Sequence, residues 1–214
     1  MTRTKTTTSA ALLVSAALLL AGCGGQSGDT AASGDAGASS APSSSSSSSS
    51  APAASAPDVA PASGEMITGT GYSFSVPEGW AIPEQELPGM EQVDVFVADL
   101  SDPSATFADN VNVVLSPAPQ AISADDVEKY GVEELEGQAG ATDVTVQERT
   151  SIAGGESAHI TASVTQQDVT YNVDQFYPSH DDQTYVVTFS FSPDVSEADR
   201  AAVYDAVLAS WAWA

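Results

Sequence analysis

The sequence predicts an α+β domain, an antiparallel β-sheet meander covered by two main helices and preceded by a signal peptide and a disordered linker. Three observations carry that expectation. Apolar and polar residues alternate through short runs between residues 72 and 191, the period of half-buried strands. Two stretches, behind Ser123 and Ser196, repeat at helical spacing instead. From Gly24 to about Ser63 the composition falls to nearly all Gly, Ala, Ser, Pro and Thr, from which no core can be built.

Taken in order, residues 1–22 read as a signal peptide. Arg3 and Lys5 precede an apolar run from Ala10 to Ala21 broken only by Ser15. Roughly a dozen residues is short of the ~20 a membrane-spanning helix needs, and suits the hydrophobic region of an export signal. The run ends at Cys23, the single cysteine. A lone thiol cannot close an internal disulfide, so an exported chain that keeps one needs a reason for it.

Leu20-Ala21-Gly22-Cys23 resembles the lipobox of bacterial lipoproteins. The resemblance implies that the Cys23 thiol is alkylated by diacylglycerol, that the signal peptide is cut just before it, and that the new amino group is acylated. Cys23 would then be the first mature residue and the attachment to the cell membrane, on its extracytoplasmic face. One acyl chain binds a bilayer marginally and two or more hold firmly, at about 0.8 kcal/mol per buried methylene.

Residues 23–64 read as a linker, with an unbroken serine run from Ser43 to Ser50 and Val59 as the one apolar side chain larger than proline after Gly24. As a flexible coil, about 40 such residues span roughly 35 Å. Residues 65–214 then form the folded body. At about 150 residues it is long enough to bury some 68–70% of its unfolded surface without disulfides or metals.

Charge narrows the partners. All 29 acidic residues follow Cys23, whereas only Lys129, Arg149 and Arg200 remain basic there. Three scattered cations build no patch for a phosphate backbone, so nucleic acid is excluded as a partner. Anionic headgroups should repel such a body, which leaves the lipid anchor as its hold on the membrane.

Within the body, Tyr72, Phe74 and Val76 share one face of YSFSV. Val93, Val95 and Val97 alternate in VDVFVAD, and Val111, Val113 and Leu115 in NVNVVLS. DVTVQERTS, then AHITASVTQQ after Gly154-Gly155, VTYNVDQFY after Gln167-Asp168, and TYVVTFSF after SHDDQ continue the meander. Ser123 caps SADDVEKYGVEELEG, with a loose stripe of Val127, Tyr130, Gly131, Val132 and Leu135. Ser196 caps SEADRAAVYDAVLASW, where Val203, Val207 and Trp211 align beside Tyr204 and Leu208. A short helical turn around Glu84–Met90 is also expected.

The opening YSFSVPEGW, NVNVVL leading into a capped helix, and TYVVTFSF leading into a terminal helix with Trp211 together resemble one known domain. It is the sheet-and-helix domain of PsbP proteins of photosystem II, Mog-type Ran-binding proteins and lipoproteins such as LpqN. The resemblance implies a turn at Pro77, Gly79 and Trp80 with the indole packed under the sheet. It brings no site residues of the photosynthetic or Ran-binding roles.

Candidate chemistry is sparse. An acylated Cys23 cannot act as a nucleophile, which leaves His159 and His180 as the imidazoles. His159 falls on the polar side of its strand and is expected to face solvent. Ser157 begins a strand and lacks the sharp elbow a catalytic serine requires. His180-Asp181-Asp182 could ligate a cation or serve a hydrolase with other carboxylates, yet SHDDQ is also what a polar hairpin loop looks like. Asp125-Asp126 read as a helix start and Glu133-Glu134-Glu136 as a solvated helix face. No EF-hand loop, Walker loop or zinc-ligand spacing occurs, so neither metal nor cofactor is expected. Trp80, Trp211 and Trp213 are the candidate contacts for a ligand or partner. The expectation is a tethered, non-catalytic binding or scaffold module for an envelope protein or small apolar ligand. The alternatives are an envelope hydrolase built on His180 or a lipid carrier.

Overall fold

Both faces of the main sheet are covered, and that follows from where the apolar side chains fall. The computed structural model describes residues 59–85, 89–166 and 168–214. The signal region, the box from Leu20 to Cys23 and the linker up to residue 58 lie outside the described residues. So does part of the short turn expected at Glu84–Met90, of which Glu84 and Gln85 form a bend.

The strands are β1 (Met66–Gly69), β2 (Tyr72–Ser75), β3 (Trp80–Ala81), β4 (Val93–Asp99) and β5 (Asn110–Leu115). Helix α1 (Ala124–Glu134) widens into a π-helical turn over Leu135–Ala139. Then come β6 (Ala141–Val146), β7 (Thr150–Ile152), β8 (Gly155–Ser157), β9 (His159–Gln166), β10 (Val169–Phe176), β11 (Ser179–His180) and β12 (Gln183–Phe191). Helix α2 (Glu197–Ala209) and β13 (Ala212–Trp213) close the chain.

The main sheet is antiparallel throughout, in the order β3-β4-β5-β12-β10-β9-β6, with β11 paired to β12. The expected meander is present in β9, β10 and β12. DVTVQERTS, however, divides: β6 joins β9, while β7 pairs with β8 as a separate ribbon. The small sheet β1-β2-β13 is a second layer, built from strands too short to show a period in the sequence.

Alternation sends Val187 and Phe189 of β12 to one face and Val186 to the other. The first face packs with Val97, Val111 and Val113 against Val207 and Leu208 of α2 and against Ile67, Tyr72 and Phe74 of the small sheet. On the second face Ile160, Val173 and Val186 meet Val127 and Leu135. Thus the two helices cover opposite faces. Gly131 lets α1 lie close on β9, since a Cβ there would stand 3.1 Å from Ile160 Cδ1. Tyr130, expected in the apolar stripe, is exposed and receives a hydrogen bond from Lys129.

Both helix starts behave as the capping serines predict: Ser123 Oγ accepts from Asp126 N and Ser196 Oγ from Asp199 N. The second helix stops earlier than expected, so Trp211 is not part of its stripe. Ser210 ends it by donating through Oγ to Val207 O (2.6 Å) and accepting Ser75 N (2.8 Å), which turns the chain toward β2. Trp211 then lies flat across the neighbouring rings of Tyr72 and Phe74, with centroids 4.5 and 5.2 Å away and planes within 7° and 1° of parallel. Backbone bonds from Ala62 N to Ala206 O and from Gly64 N to Val76 O fasten the incoming chain beside the same layer.

A further clip holds the hairpin of β1 and β2. Asp94 accepts from Thr70 N, Thr70 Oγ1 and the Tyr72 hydroxyl at 2.6–2.9 Å. Burial alone would raise its carboxyl, but those three donors outweigh it and hold it below the ordinary value.

His159 overturns an expectation. It is on the face opposite Ile160, as alternation requires, but it is buried because α2 covers that face too. Its ring stacks on Phe176 at 4.1 Å, and Nε2 lies 3.2 Å from Asp174 Oδ1. Arg200 Nε of α2 donates to the other oxygen of Asp174 at 3.1 Å. Asp174, 2% exposed, therefore bridges sheet and helix. Replacing it with alanine strands a mostly buried guanidinium, and urea unfolding should register a loss of about 3–5 kcal/mol. Trp211→Ala should cost a similar ~3–5 kcal/mol by the same measurement, because it empties a close-packed aromatic stack.

Candidate functional site

Of the three candidate tryptophans, two are core. Trp80 (7% exposed) opens β3 after the turn at Pro77 and Gly79, and Trp211 (5%) fills the stack described above. Trp213 is half-buried: β13 pairs it with Tyr72, and His180 lies flat on its ring at 4.9 Å and 8°. Trp211 and Trp213 meet edge-on at 5.8 Å.

Residues 180–182 do not converge on a point. Ser179-His180 and Gln183-Thr184 pair as a tight hairpin, with Asp181 in the left-handed region at φ 51°. The His180 ring is occupied by Trp213, and its Nε2 is 3.8 Å from one oxygen of the exposed Asp181. Among the described residues no three His, Cys, Asp or Glu side chains assemble around a cation position. Ser157 is equally committed: its hydroxyl donates to Ala158 O and accepts Tyr177 N.

The place where polar groups do gather lies under α1. Asn112, Thr188 and Gln175 stand side by side on β5, β12 and β10, on the face that α1 covers. Gln175 Nε2 donates to Thr188 Oγ1 at 2.8 Å, and the Tyr177 hydroxyl donates to Gln175 Oε1 at 2.5 Å. Asn112, fully buried, has neither side-chain atom bonded, and Ser190 Oγ and Asn110 Oδ1 beside it are likewise unpartnered. Leaving a buried polar atom unpaired costs about 1–3 kcal/mol, so this row is a reservoir of unmet hydrogen bonding.

Glu134 closes the row from above. The helix face Val127, Gly131, Glu134 and Leu135 follows i, i+4, i+7, i+8 spacing, which turns Glu134 inward rather than onto the solvated face expected for it. Its Oε1 is enclosed and has no hydrogen-bond partner. A cavity of about 20 Å³ lies there, walled by Val127, Leu135 and Val186 and reached by Glu134, Gln175, Tyr177 and Ser116. That is room for one water-sized group. Burial pushes the Glu134 carboxyl up, and the Tyr177 phenol is raised by burial and by the nearby Glu134 charge. The π-helical turn begins at the next residue, and such turns are frequent at functional sites. The signal was present in the sequence as a glutamate at apolar spacing.

No protein-family model matches the sequence, and no curated protein sequence matches it significantly. Solved structures do. The fold is similar to the solution structure of cyanobacterial PsbP (CyanoP) from Synechocystis sp. PCC 6803, with a TM-score of 0.50 at 20% identity over 77% of this chain and 100% of that one. This chain has a PsbP-like fold. Two other structures overlap less. LpqN, involved in cell envelope biogenesis of Mycobacterium tuberculosis, gives 0.42 at 14% identity over 67% and 86% of the two chains. A protein from Bacteroides thetaiotaomicron gives 0.46 at 14% over 71% of this chain, which spans 48% of that longer one.

Glu134 sets a pH signature. A carboxyl raised on folding adds most stability below its ordinary value of 4.5 and loses that contribution as pH rises through the raised value. Thermal unfolding of Glu134→Gln should therefore lose less stability than the parent between about pH 4.5 and neutrality. Parallel curves would mean the carboxylate is not held dry.

Proposed function

We propose that the protein is an exported lipoprotein, cut before Cys23 and acylated there, whose PsbP-like domain acts as a non-catalytic binding module outside the cytoplasmic membrane. The observation that carries this reading is the box Leu20-Ala21-Gly22-Cys23 at the end of a short apolar run, joined through a core-free linker to one folded body. Among the described residues no helix is long and apolar enough to cross a membrane, so lipid on Cys23 would be the means of attachment.

The state of the imidazoles and of Ser157 supports a binding rather than a catalytic role. His159 is locked between Phe176 and Asp174, His180 is stacked on Trp213, and the Ser157 hydroxyl is engaged by backbone. A nucleophile and its base must meet within hydrogen-bond reach, and these groups serve packing instead. The enclosed space under α1, about 20 Å³, is too small for an acyl chain and disfavours a lipid carrier using that cavity.

Cys23→Ala should move the protein from the membrane to the soluble fraction while leaving its melting temperature unchanged. Intact-mass analysis of the parent should find acyl chains on a mature chain that begins at Cys23. A Cys23→Ala variant that stays tightly bound to membranes would overturn the proposal.

A further inference from the structure

The two ends of α1 meet the rest of the body by different means. Its first turns are fastened by Arg149, which donates to Asp125 and Glu128. Its last turn has no such cation: Arg149 is already engaged there, Arg200 by Asp174, and Lys129 by the Tyr130 hydroxyl. Glu134 Oε1 is left enclosed without a hydrogen-bond partner, above the row that runs from Tyr177 through Gln175 to Thr188. The groups around the space beside it are complementary in what they lack. Glu134 Oε1 needs a donor. The Tyr177 hydroxyl spends its hydrogen on Gln175 Oε1 and keeps lone pairs on its oxygen. The Ser116 hydroxyl accepts Ala118 N and keeps its hydrogen to give.

We propose that one ordered water is bound in this space as a structural ligand, donating to Glu134 Oε1 and to the Tyr177 hydroxyl oxygen and accepting from the Ser116 hydroxyl. Size and chemistry agree. The enclosed volume of about 20 Å³ exceeds the roughly 10–15 Å³ a single water needs and leaves no room for a larger molecule. Two donors and one acceptor are what the three groups require, and about three hydrogen bonds is the usual number for a buried water. Val127, Leu135 and Val186 wall the remaining sides and offer it no competing polar contact. The water completes a chain from Glu134 through Tyr177 and Gln175 to Thr188, joining the widening end of α1 to the middle of the sheet. It also explains how a carboxyl is kept at this position: the enclosed oxygen retains one member of its hydration shell instead of losing all of it. The proposal concerns the packing of α1 alone and does not depend on how the domain is tethered.

Water–protein NOE spectra of the methyl-labelled full chain in detergent test this. The methyl groups of Val127, Leu135 and Val186 should each show a cross-peak to water, with the sign given by a long-lived water. Glu134→Gln, which keeps a polar partner at the site, should retain the three peaks. Glu134→Leu should lose them while the rest of the methyl spectrum stays dispersed. The Tyr177 and Ser116 hydroxyls remain in that variant, so peaks that persist in it would be relayed by hydroxyl exchange and would overturn the proposal. Absence of the peaks from the parent would overturn it as well. If Glu134→Leu does not fold, a crystal structure of the parent decides: a solvent peak bonded to both Glu134 Oε1 and the Tyr177 hydroxyl is the expected result. A dry space, or a Glu134 carboxyl turned out to bulk solvent, refutes it.

Discussion

Along its centre the main sheet has no wet face, and every polar residue it carries must be answered from within the protein. Helix α2 and the small sheet lie on one side, and α1 lies on the other. In a one-sided sheet one of two sets, Asp174 with His159 or Gln175 with Thr188 and Asn112, would face water and need no partner. Under two covers each must find one, because an unpaired buried group costs more than a typical hydrogen bond returns. The two sides solve this differently. Beneath α2 the solution is ionic, with Arg200 reaching down from the helix to Asp174 and His159. Beneath α1 it is a chain of neutral hydrogen bonds from Tyr177 to Gln175 to Thr188, and that chain stops before Asn112 and Glu134 are served.

The aromatic stack determines how the first cover stays on. The segment after α2 returns and lays Trp211 across Tyr72 and Phe74, so it holds the first strands of the body in place. Trp213 then pairs with Tyr72 and stacks on His180, and Ala214 N donates to Gly71 O. A terminus normally frays unless it is docked. Here it is docked by three aromatic contacts and a strand pair, which gives the two conspicuous C-terminal tryptophans a structural purpose.

The strands and helix starts were legible in the sequence for a local reason: alternation and capping are written within a few residues of where they act. Val93, Val111 and Tyr185 mark their strands unaided, and Ser123 and Ser196 mark their helices. What alternation cannot reveal is what lies against each face. Polar residues in a repeating pattern usually point to solvent, yet His159 is buried and Glu134 Oε1 is enclosed by packing that local spacing does not encode. Asp174 gives no local signal either. Its meaning depends on Arg200, 26 residues away on another layer. The apolar stripe continues to Trp211 and so hides the end of α2, where Ser210 accepts Ser75 N from the small sheet.

The distribution of charge gives the unpaired carboxylate its meaning. With 26 acidic residues against three basic ones in the body, most carboxylates have water as their only partner, and at the surface that is cheap. The few cations are spent where they join elements: Arg149 fastens α1 to β8 through Glu128 and Glu156, and Arg200 fastens α2 to β10. A structure that needed only stability would treat an inward residue on α1 in the same manner, or make it apolar like Val127 and Leu135 beside it. At position 134 it does neither. The carboxyl reaches a space walled by Val127, Leu135 and Val186 with one oxygen enclosed, at the point where the helix widens, and an apolar residue of similar volume there would carry no electrostatic cost. Retaining a carboxyl in that position costs folding stability whenever it is ionised, which is why burial pushes it up.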